Sequence, residues 1–266
     1  MCPQLVRTPT EGKPPKSTAI IQRTIKLPRV KGMETTISGS GSPGKILLKK
    51  ALLICGILSS LLYASIDALA GTLYVGYSHI SQAFSELLSP GSPVRQLALQ
   101  LAALYGVLLL AFALGVWMSA DRSRALRVTA LMVFGQAVDG LVTPVYFPAP
   151  MRGVAGAESA GILHAILTAV GVFTILLAVV FGAVAYRNWF RYYSVGSLLV
   201  ILAFGLIGFS YIPAITANMP TPWLGATERV NIYGWMLWVT VLAIILLKIE
   251  KGPASTRMQA NQGESK

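Results

Sequence analysis

Six apolar stretches, separated by short polar connections, dominate the pattern of hydrophobic and polar positions between residues 51 and 247. A helix needs roughly 20 mainly apolar residues to cross the hydrocarbon core of a bilayer, and each stretch meets this need. Strands of a membrane barrel would alternate apolar and polar residues, which these stretches do not. The pattern therefore predicts an all-α, polytopic transmembrane bundle of six helices, at residues 51–70, 97–120, 125–147, 161–186, 195–216 and 230–247.

Composition agrees with a protein whose main partner is the lipid bilayer. Hydrophobic residues make up 54% of the chain and charged residues only 12%, which is too apolar for a soluble domain of this length.

The flanking segments differ from the bundle. Residues 1–45 are rich in Pro, Ser, Gly and Lys and are predicted to form a disordered basic tail. The six-helix domain then spans residues 46–248, and residues 249–266 form a polar carboxyl-terminal tail. We expect translation to start at Met33, which would make residues 1–32 an artefact of the assigned start site.

The distribution of basic residues predicts the orientation of the helices. Cytoplasmic loops carry an excess of Lys and Arg. If the amino terminus is cytoplasmic, 19 of the 22 basic residues lie on the cytoplasmic side, and the three exceptions are Arg95, Arg152 and Arg229. Both termini are therefore predicted to be cytoplasmic.

The net charge of +12 is explained by the same basic loops and tail. We therefore expect no nucleic-acid partner. Metal and cofactor chemistry also has little support, since the chain has only two histidines, His79 and His164, and no His-Glu-x-x-His spacing. The two cysteines, Cys2 and Cys55, lie in the tail and in the first helix, and neither suits an extracellular disulfide. No cofactor and no metal site are predicted.

Ionisable residues inside the predicted helices need an explanation, because each costs roughly 2.5–3.5 kcal/mol to insert into a bilayer. Asp67, Asp139 and His164 lie within the outer halves of helices one, three and four, and Glu228 and Arg229 lie at the outer end of helix six. Small and polar residues recur near them at helical spacing, so these faces are expected to point into the bundle. The sequence predicts a polar cavity that opens outward.

Each of these residues also has a simpler explanation. Asp67 could bond a neighbouring helix, and His164 could be an interfacial histidine with satisfied hydrogen bonds. Glu228 suits the amino end of a helix because of the helix dipole.

Acid–base chemistry by Asp139 and His164 is possible, but no Gly-x-Ser-x-Gly motif marks a nucleophile. A transporter would need broken helices or repeats. Pro144, Pro213 and the glycines at 205 and 208 could interrupt helices, but no convincing repeat is visible.

The first outer loop, residues 77–95, is the most distinctive segment. Its apolar residues predict a short amphipathic helix over the outer interface that ends at Pro90-Gly91. Glu86 and Arg95 would then cap the mouth of the bundle. The loop resembles the "I-S-E-L … G-A/S-P" signature of a prokaryotic membrane family known as domain of unknown function 998. The matching elements are Ile80-Ser81, Ser85-Glu86-Leu87 and Gly91-Ser92-Pro93, with further similarity at residues 147–153 and 228–238.

The resemblance covers roughly residues 45–248. It implies a six-helix protein of unestablished activity in a plasma or inner membrane, and it departs from the family pattern at Ala149 and Pro150, where an acidic or histidine residue is often expected. Our leading hypothesis is a multi-pass membrane protein whose outward pocket binds a small polar molecule or a lipid headgroup. An enzyme acting on lipid or envelope precursors and an accessory subunit of another membrane protein are the two further hypotheses. The residues predicted to line the pocket are Asp67, Glu86, Asp139, Arg152, His164, Glu228 and Arg229. Of these, Arg152 and Arg229 are expected to contact an anionic group of the ligand. Asp139 and His164 are the catalytic candidates if the protein is an enzyme.

Overall fold

The computed structural model describes residues 43–150, 158–186 and 189–250. The predictions for the tails, for the start at Met33 and for Cys2 lie outside these residues, as does Arg152. The described part of the chain is helical and contains no strand. Its elements are α1 (Pro43–Leu73), a 3₁₀ helix (Phe84–Leu88), α2 (Arg95–Ser119), α3 (Arg124–Tyr146), α4 (Glu158–Ala185), α5 (Trp189–Ser210), α6 (Ile212–Thr216) and α7 (Leu224–Glu250).

The six long helices are each long and apolar enough to cross a membrane. The predicted all-α architecture with six membrane-spanning helices is therefore confirmed. The helices extend beyond the apolar stretches. α1 begins at Pro43, within the segment predicted as tail, and α7 runs to Glu250. Membrane helices commonly continue past the hydrocarbon core, because polar residues at their ends reach the interface.

Proline positions only partly interrupt the helices. α3 continues through Pro144 to Tyr146. α5 also passes through the glycines at 205 and 208 and ends at Ser210, after which the short α6 carries Pro213 in its first turn. The break therefore lies at Tyr211. It follows from Pro213, whose ring fits the start of a helix but not its interior.

The long helices form a closed ring in chain order. α1 packs on α2, α2 on α3, α3 on α4, α4 on α5 and α5 on α7, and α7 closes the ring against α1. Consecutive helices joined by short connections are expected to be antiparallel neighbours. One end of the bundle therefore contains the carboxyl ends of α1, α3 and α5. The same end contains the amino ends of α2, α4 and α7. We call this the loop end, because the α1–α2 loop (residues 74–94) lies there.

Packing is uneven around the ring. Side chains at the centre of the core include Phe112 of α2, Phe190 of α5, and Trp235 and Trp238 of α7. The two indoles stack with their centroids 5.6 Å apart, and Nε1 of Trp238 donates to the Ser194 hydroxyl at 3.0 Å. In the most apolar part of each helix, 44% of α7 residues are buried but only 11% of α5 residues. α5 is therefore the least buried of the six long helices.

The α1–α2 loop folds onto the bundle. Its 3₁₀ helix buries Phe84, Leu87 and Leu88 among the bundle side chains. The short helix predicted for this loop is present, but its apolar side chains face the protein core rather than the membrane interface. The loop turns at Gly91, whose φ of 92° suits a residue without a Cβ. Because the loop covers one end of the bundle, its backbone can contact side chains from several helices.

Candidate functional site

The strongest polar interaction near the loop end joins α7 to α1. Nε and Nη2 of Arg229 donate to the two carboxylate oxygens of Asp67 at 2.9 and 2.7 Å. The side chains are 11% and 4% exposed. The Tyr233 hydroxyl, one turn further along α7, donates to Asp67 Oδ2 at 2.6 Å. The Asp67 carboxylate is thus held by a bidentate arginine and a tyrosine, which is the geometry that gives strong charge-assisted hydrogen bonds.

The same arginine holds the α1–α2 loop. Nη1 of Arg229 donates to the carbonyl oxygens of His79 at 2.7 Å, Gln82 at 3.1 Å and Gly225 at 3.1 Å. Nη2 also donates to the Tyr77 hydroxyl at 2.8 Å. That hydroxyl in turn donates to the carbonyl of Ala83 at 2.8 Å. Burial raises the pKa of Tyr77, so its hydroxyl keeps the proton that this bond needs.

These contacts use the donors of the guanidinium group. Arginine carries five N–H donors, and all three nitrogens of Arg229 have acceptors within the protein. Neither Asp67 nor Arg229 belongs to the cavity lining described below. Their predicted role in ligand binding stays a prediction, and the structure gives them an internal role instead: they join α1, α7 and the α1–α2 loop.

The loop also contacts Glu228, the residue before Arg229. The backbone N–H of Phe84 donates to Glu228 Oε2 at 2.6 Å. Within the loop, Glu86 accepts the backbone N–H of Ala83 at 2.9 Å and the side chain of Gln82 at 3.2 Å. Two further bonds fasten the loop to the start of α7, from Ala226 N–H to Ile80 O and from the Thr221 hydroxyl to Ser81 O, both at 2.9 Å. Glu228 and Glu86 are therefore positioned by the same short segment of backbone.

Asp139 lies two turns before the end of α3. Its Oδ1 accepts the Thr143 hydroxyl at 2.7 Å. On the facing helix, Gly171 allows close approach, since a Cβ there would lie 2.8 Å from Asp139 Oδ2. Asp139 thus faces α4 rather than lipid. The nearby Gln136 joins the same two helices, because its Oε1 accepts the Thr174 hydroxyl at 3.1 Å.

His164 lies near the start of α4. Its Nδ1 is 2.9 Å from the carbonyl oxygen of Phe147, so Nδ1 carries a proton that it donates to that oxygen. Nε2 then carries the lone pair in the neutral ring. Among the described residues, Asp139 makes no hydrogen bond to this imidazole. The hydrogen bond that orients the ring thus comes from the Phe147 carbonyl, and acid–base chemistry by Asp139 and His164 stays a prediction.

Asp139, His164 and Glu228 line the same two adjoining cavities. The larger chamber has a volume of about 570 Å³, and the side chains of Glu86, Asn231 and Thr168 also face it. Apolar residues of α5 and α6 line it as well, namely Phe204, Phe209, Ile212 and Ile215. The carboxyl groups of Asp139 and Glu228 and the imidazole of His164, which come from three different helices, thus share a chamber with hydrophobic side chains.

The smaller chamber has a volume of about 170 Å³, and four aromatic side chains contribute to its lining. Its walls include Tyr63 of α1, Phe84 of the loop, Tyr105 of α2 and Trp235 of α7, together with Asp139, His164 and Glu228. Tyr63 packs against Phe84 and Tyr105 with ring centroids 4.5 and 5.3 Å apart. Trp235 is 1% exposed, and its indole lies next to the Tyr105 side chain.

Sequence reasoning missed Tyr63, Phe84 and Tyr105. Tyr63 and Tyr105 look like ordinary core residues, since aromatic side chains in helices most often pack against other helices. The spacing of Glu228, Asn231 and Trp235 does place all three on one face of α7. No signal of this kind marks Phe84, because its position depends on how the loop folds. Nothing in the described ranges groups three or more His, Cys, Asp or Glu residues in a way that could hold a metal ion.

The fold defines a six-helix integral membrane protein, and two adjoining cavities lie within its bundle. A family model described as "Protein of unknown function (DUF998)" matches residues 32–245, so the chain belongs to this family. The resemblance found in the sequence is thereby confirmed. No curated protein and no solved structure matches the chain significantly.

Proposed function

We propose that the connected chambers bind a small polar molecule or the headgroup of a lipid. One observation carries this proposal: Asp139, His164 and Glu228, which come from three separate helices, line the same cavity. Ionisable groups at membrane depth are costly to bury, and in membrane proteins they commonly mark the path or site of a ligand. A ligand that exchanges hydrogen bonds with these groups would offset that cost.

The size and the lining of the larger chamber support the proposal. Ligand sites typically enclose about 300–1,000 Å³ and combine an apolar surface with a few polar groups that fix the ligand's orientation. A volume of about 570 Å³ lies within this range. The apolar lining from α5 and α6 suits a hydrocarbon chain, and Asp139 and His164 suit a polar group. Positive-inside topology would place the mouth of this chamber on the extracytoplasmic side.

A membrane-embedded enzyme is the second candidate, and the geometry of His164 is the observation that favours it. The hydrogen bond to Phe147 O leaves Nε2 as an unprotonated base in the neutral imidazole. Asp139 lines the same cavity and would act together with this histidine in proton transfer. An enzyme of this kind requires that His164→Ala abolish turnover while retaining the bound ligand, whereas simple binding requires only a change in affinity.

Native mass spectrometry of the protein, extracted from its own membrane in lipid nanodiscs, tests the binding proposal. We expect one retained small molecule or lipid per chain. Asp139→Asn should weaken the affinity for this ligand at least tenfold, which corresponds to about 1.4 kcal/mol, and thereby lower its occupancy. Asp121→Asn is a matched control, because Asp121 lies in the α2–α3 turn with a φ of 40° that Asn also tolerates. A wild-type protein without a ligand, or equal occupancy in both variants, would contradict the proposal.

A further inference from the structure

The aromatic and acidic side chains that line the smaller chamber indicate the charge of the group that it would bind. Four aromatic side chains, Tyr63, Phe84, Tyr105 and Trp235, contribute to its walls. Aromatic faces carry partial negative charge and attract organic cations, and cages of aromatic rings bind quaternary ammonium groups. An apolar ligand would also fit such walls, so the aromatic rings alone do not determine the charge.

The carboxyl groups decide between a cation and an apolar group. Asp139 and Glu228 both line this chamber. Each has one oxygen in a hydrogen bond, with the Thr143 hydroxyl and with the Phe84 N–H respectively. Within the described ranges, no hydrogen bond reaches the second oxygen of either group. Both groups line one chamber, and a carboxylate in a medium of low dielectric constant attracts a cation strongly.

Arg229 makes no hydrogen bond to either of these carboxylates within the described residues. Arg229 follows Glu228 directly, but its nitrogens already have acceptors on Asp67, Tyr77 and the loop backbone. The described side chains that line the smaller chamber include no Lys or Arg. The chamber thus combines aromatic side chains and two acidic groups with a neutral imidazole, and its described lining contains no Lys or Arg.

The volume agrees with a compact group. An engineered cavity of about 150 Å³ holds benzene, so a chamber of about 170 Å³ has room for a group of similar size, such as trimethylammonium. The adjoining larger chamber, with Phe204, Phe209 and Ile212 in its lining, could accept a chain attached to that group.

We propose that the smaller chamber binds the ammonium group of an organic cation. The inference rests on the proposed function and narrows it to one ligand class. The cation is held by the faces of Tyr63, Tyr105 and Trp235 and by the carboxylates of Asp139 and Glu228. The shared chemistry is an alkylated ammonium group, whether it belongs to a free solute or to a lipid headgroup.

Binding of choline, compared with its neutral isostere 3,3-dimethylbutanol, tests this inference on the full chain in nanodiscs. The two probes have nearly the same shape and differ in charge. We expect isothermal titration to show at least tenfold tighter binding of choline. The double variant Asp139→Asn, Glu228→Gln should remove this preference. Both replacements keep an oxygen that can accept the Thr143 and Phe84 bonds, and thermal unfolding checks that the variant folds. Asp121→Asn should retain the preference.

Decyltrimethylammonium distinguishes the two sources of the cation. Tighter binding than choline indicates a lipid headgroup with its chain in the larger chamber, and equal binding indicates a free solute. Either result supports the inference when the charge preference is present.

Three results would overturn the inference. They are equal affinity for choline and its neutral isostere, no binding of any ammonium probe, and a charge preference that survives in the folded double variant. If the native protein then still retains a ligand without an ammonium group, only this inference fails. If it retains none, the binding proposal fails as well.

Discussion

Glu228 and Arg229 are neighbours on α7, yet they contact different parts of the protein. Arg229 forms a bidentate ion pair with Asp67 of α1, whereas Glu228 lines both chambers and accepts the N–H of Phe84. Successive residues of a helix point about 100° apart, so one turn can serve two purposes. Arg229 fixes the position of the α1–α2 loop, and that loop contributes Phe84 to the smaller chamber. The ion pair therefore supports the cavity without lining it.

Asp67→Asn should strongly destabilise the protein. The substitution leaves Arg229 buried without its carboxylate, and removal of one partner of a buried ion pair costs about 3–5 kcal/mol. The free energy of unfolding, measured by denaturant titration in micelles, should fall by an amount in this range. Asp121→Asn, in an exposed turn, should change it little. Equal stability of the two variants would show that the ion pair does not hold α1, α7 and the loop together.

Gly225→Ala should displace the α1–α2 loop. A Cβ at this position would lie 2.6 Å from the carbonyl oxygen of His79 and would also collide with that of Gln82. Overpacking of this kind costs about 1–3 kcal/mol. The melting temperature should drop, and the loop should become more sensitive to proteolysis.

Gly196→Ala is the matched control for this change. Gly196 also lies inside a long helix, but a Cβ there meets nothing within 4 Å. Alanine favours a helix by up to about 1 kcal/mol over glycine, so this variant should be as stable as the wild type or more so. If both alanine variants behave alike, the close approach of the loop to α7 is not a constraint.

The predicted orientation can be measured with single cysteines. In a chain with Cys2 and Cys55 replaced by serine, Val75→Cys should react with a membrane-impermeant maleimide added to intact cells, since Val75 is 93% exposed in the α1–α2 loop. Arg122→Cys, in the α2–α3 turn, should react only after the membrane is opened. This follows from the excess of basic residues on the cytoplasmic side. The reverse pattern would place both termini outside the cytoplasm.

The sequence was sufficient to predict the six helices, because the length and apolarity of a membrane span are local properties. It also indicated that Asp139, His164 and Glu228 lie at similar depth. It could not show that Asp67 pairs with Arg229, 162 positions later in the chain, because this contact requires α7 to close the ring against α1. The apolar lining of the larger chamber was equally hidden, since Phe204 and Phe209 have the sequence character of lipid-facing residues.

Both proposals depend on a hydrated cavity that Asp139, His164 and Glu228 line together. They would fail if these side chains faced lipid or a closely packed surface. Two positions on α4 test it at nearly the same depth. Thr168 lines the larger chamber, whereas Val170, which is 51% exposed, does not. Thiols react as thiolates, which form in water but not in hydrocarbon.

The most direct measurement is therefore the rate at which a small, charged methanethiosulfonate reagent modifies Thr168→Cys and Val170→Cys, each in the chain without other cysteines and reconstituted in bilayers. We predict rapid modification at position 168, at least tenfold faster than at position 170. An unreactive cysteine at 168, or equal rates at the two positions, would contradict the presence of a hydrated cavity.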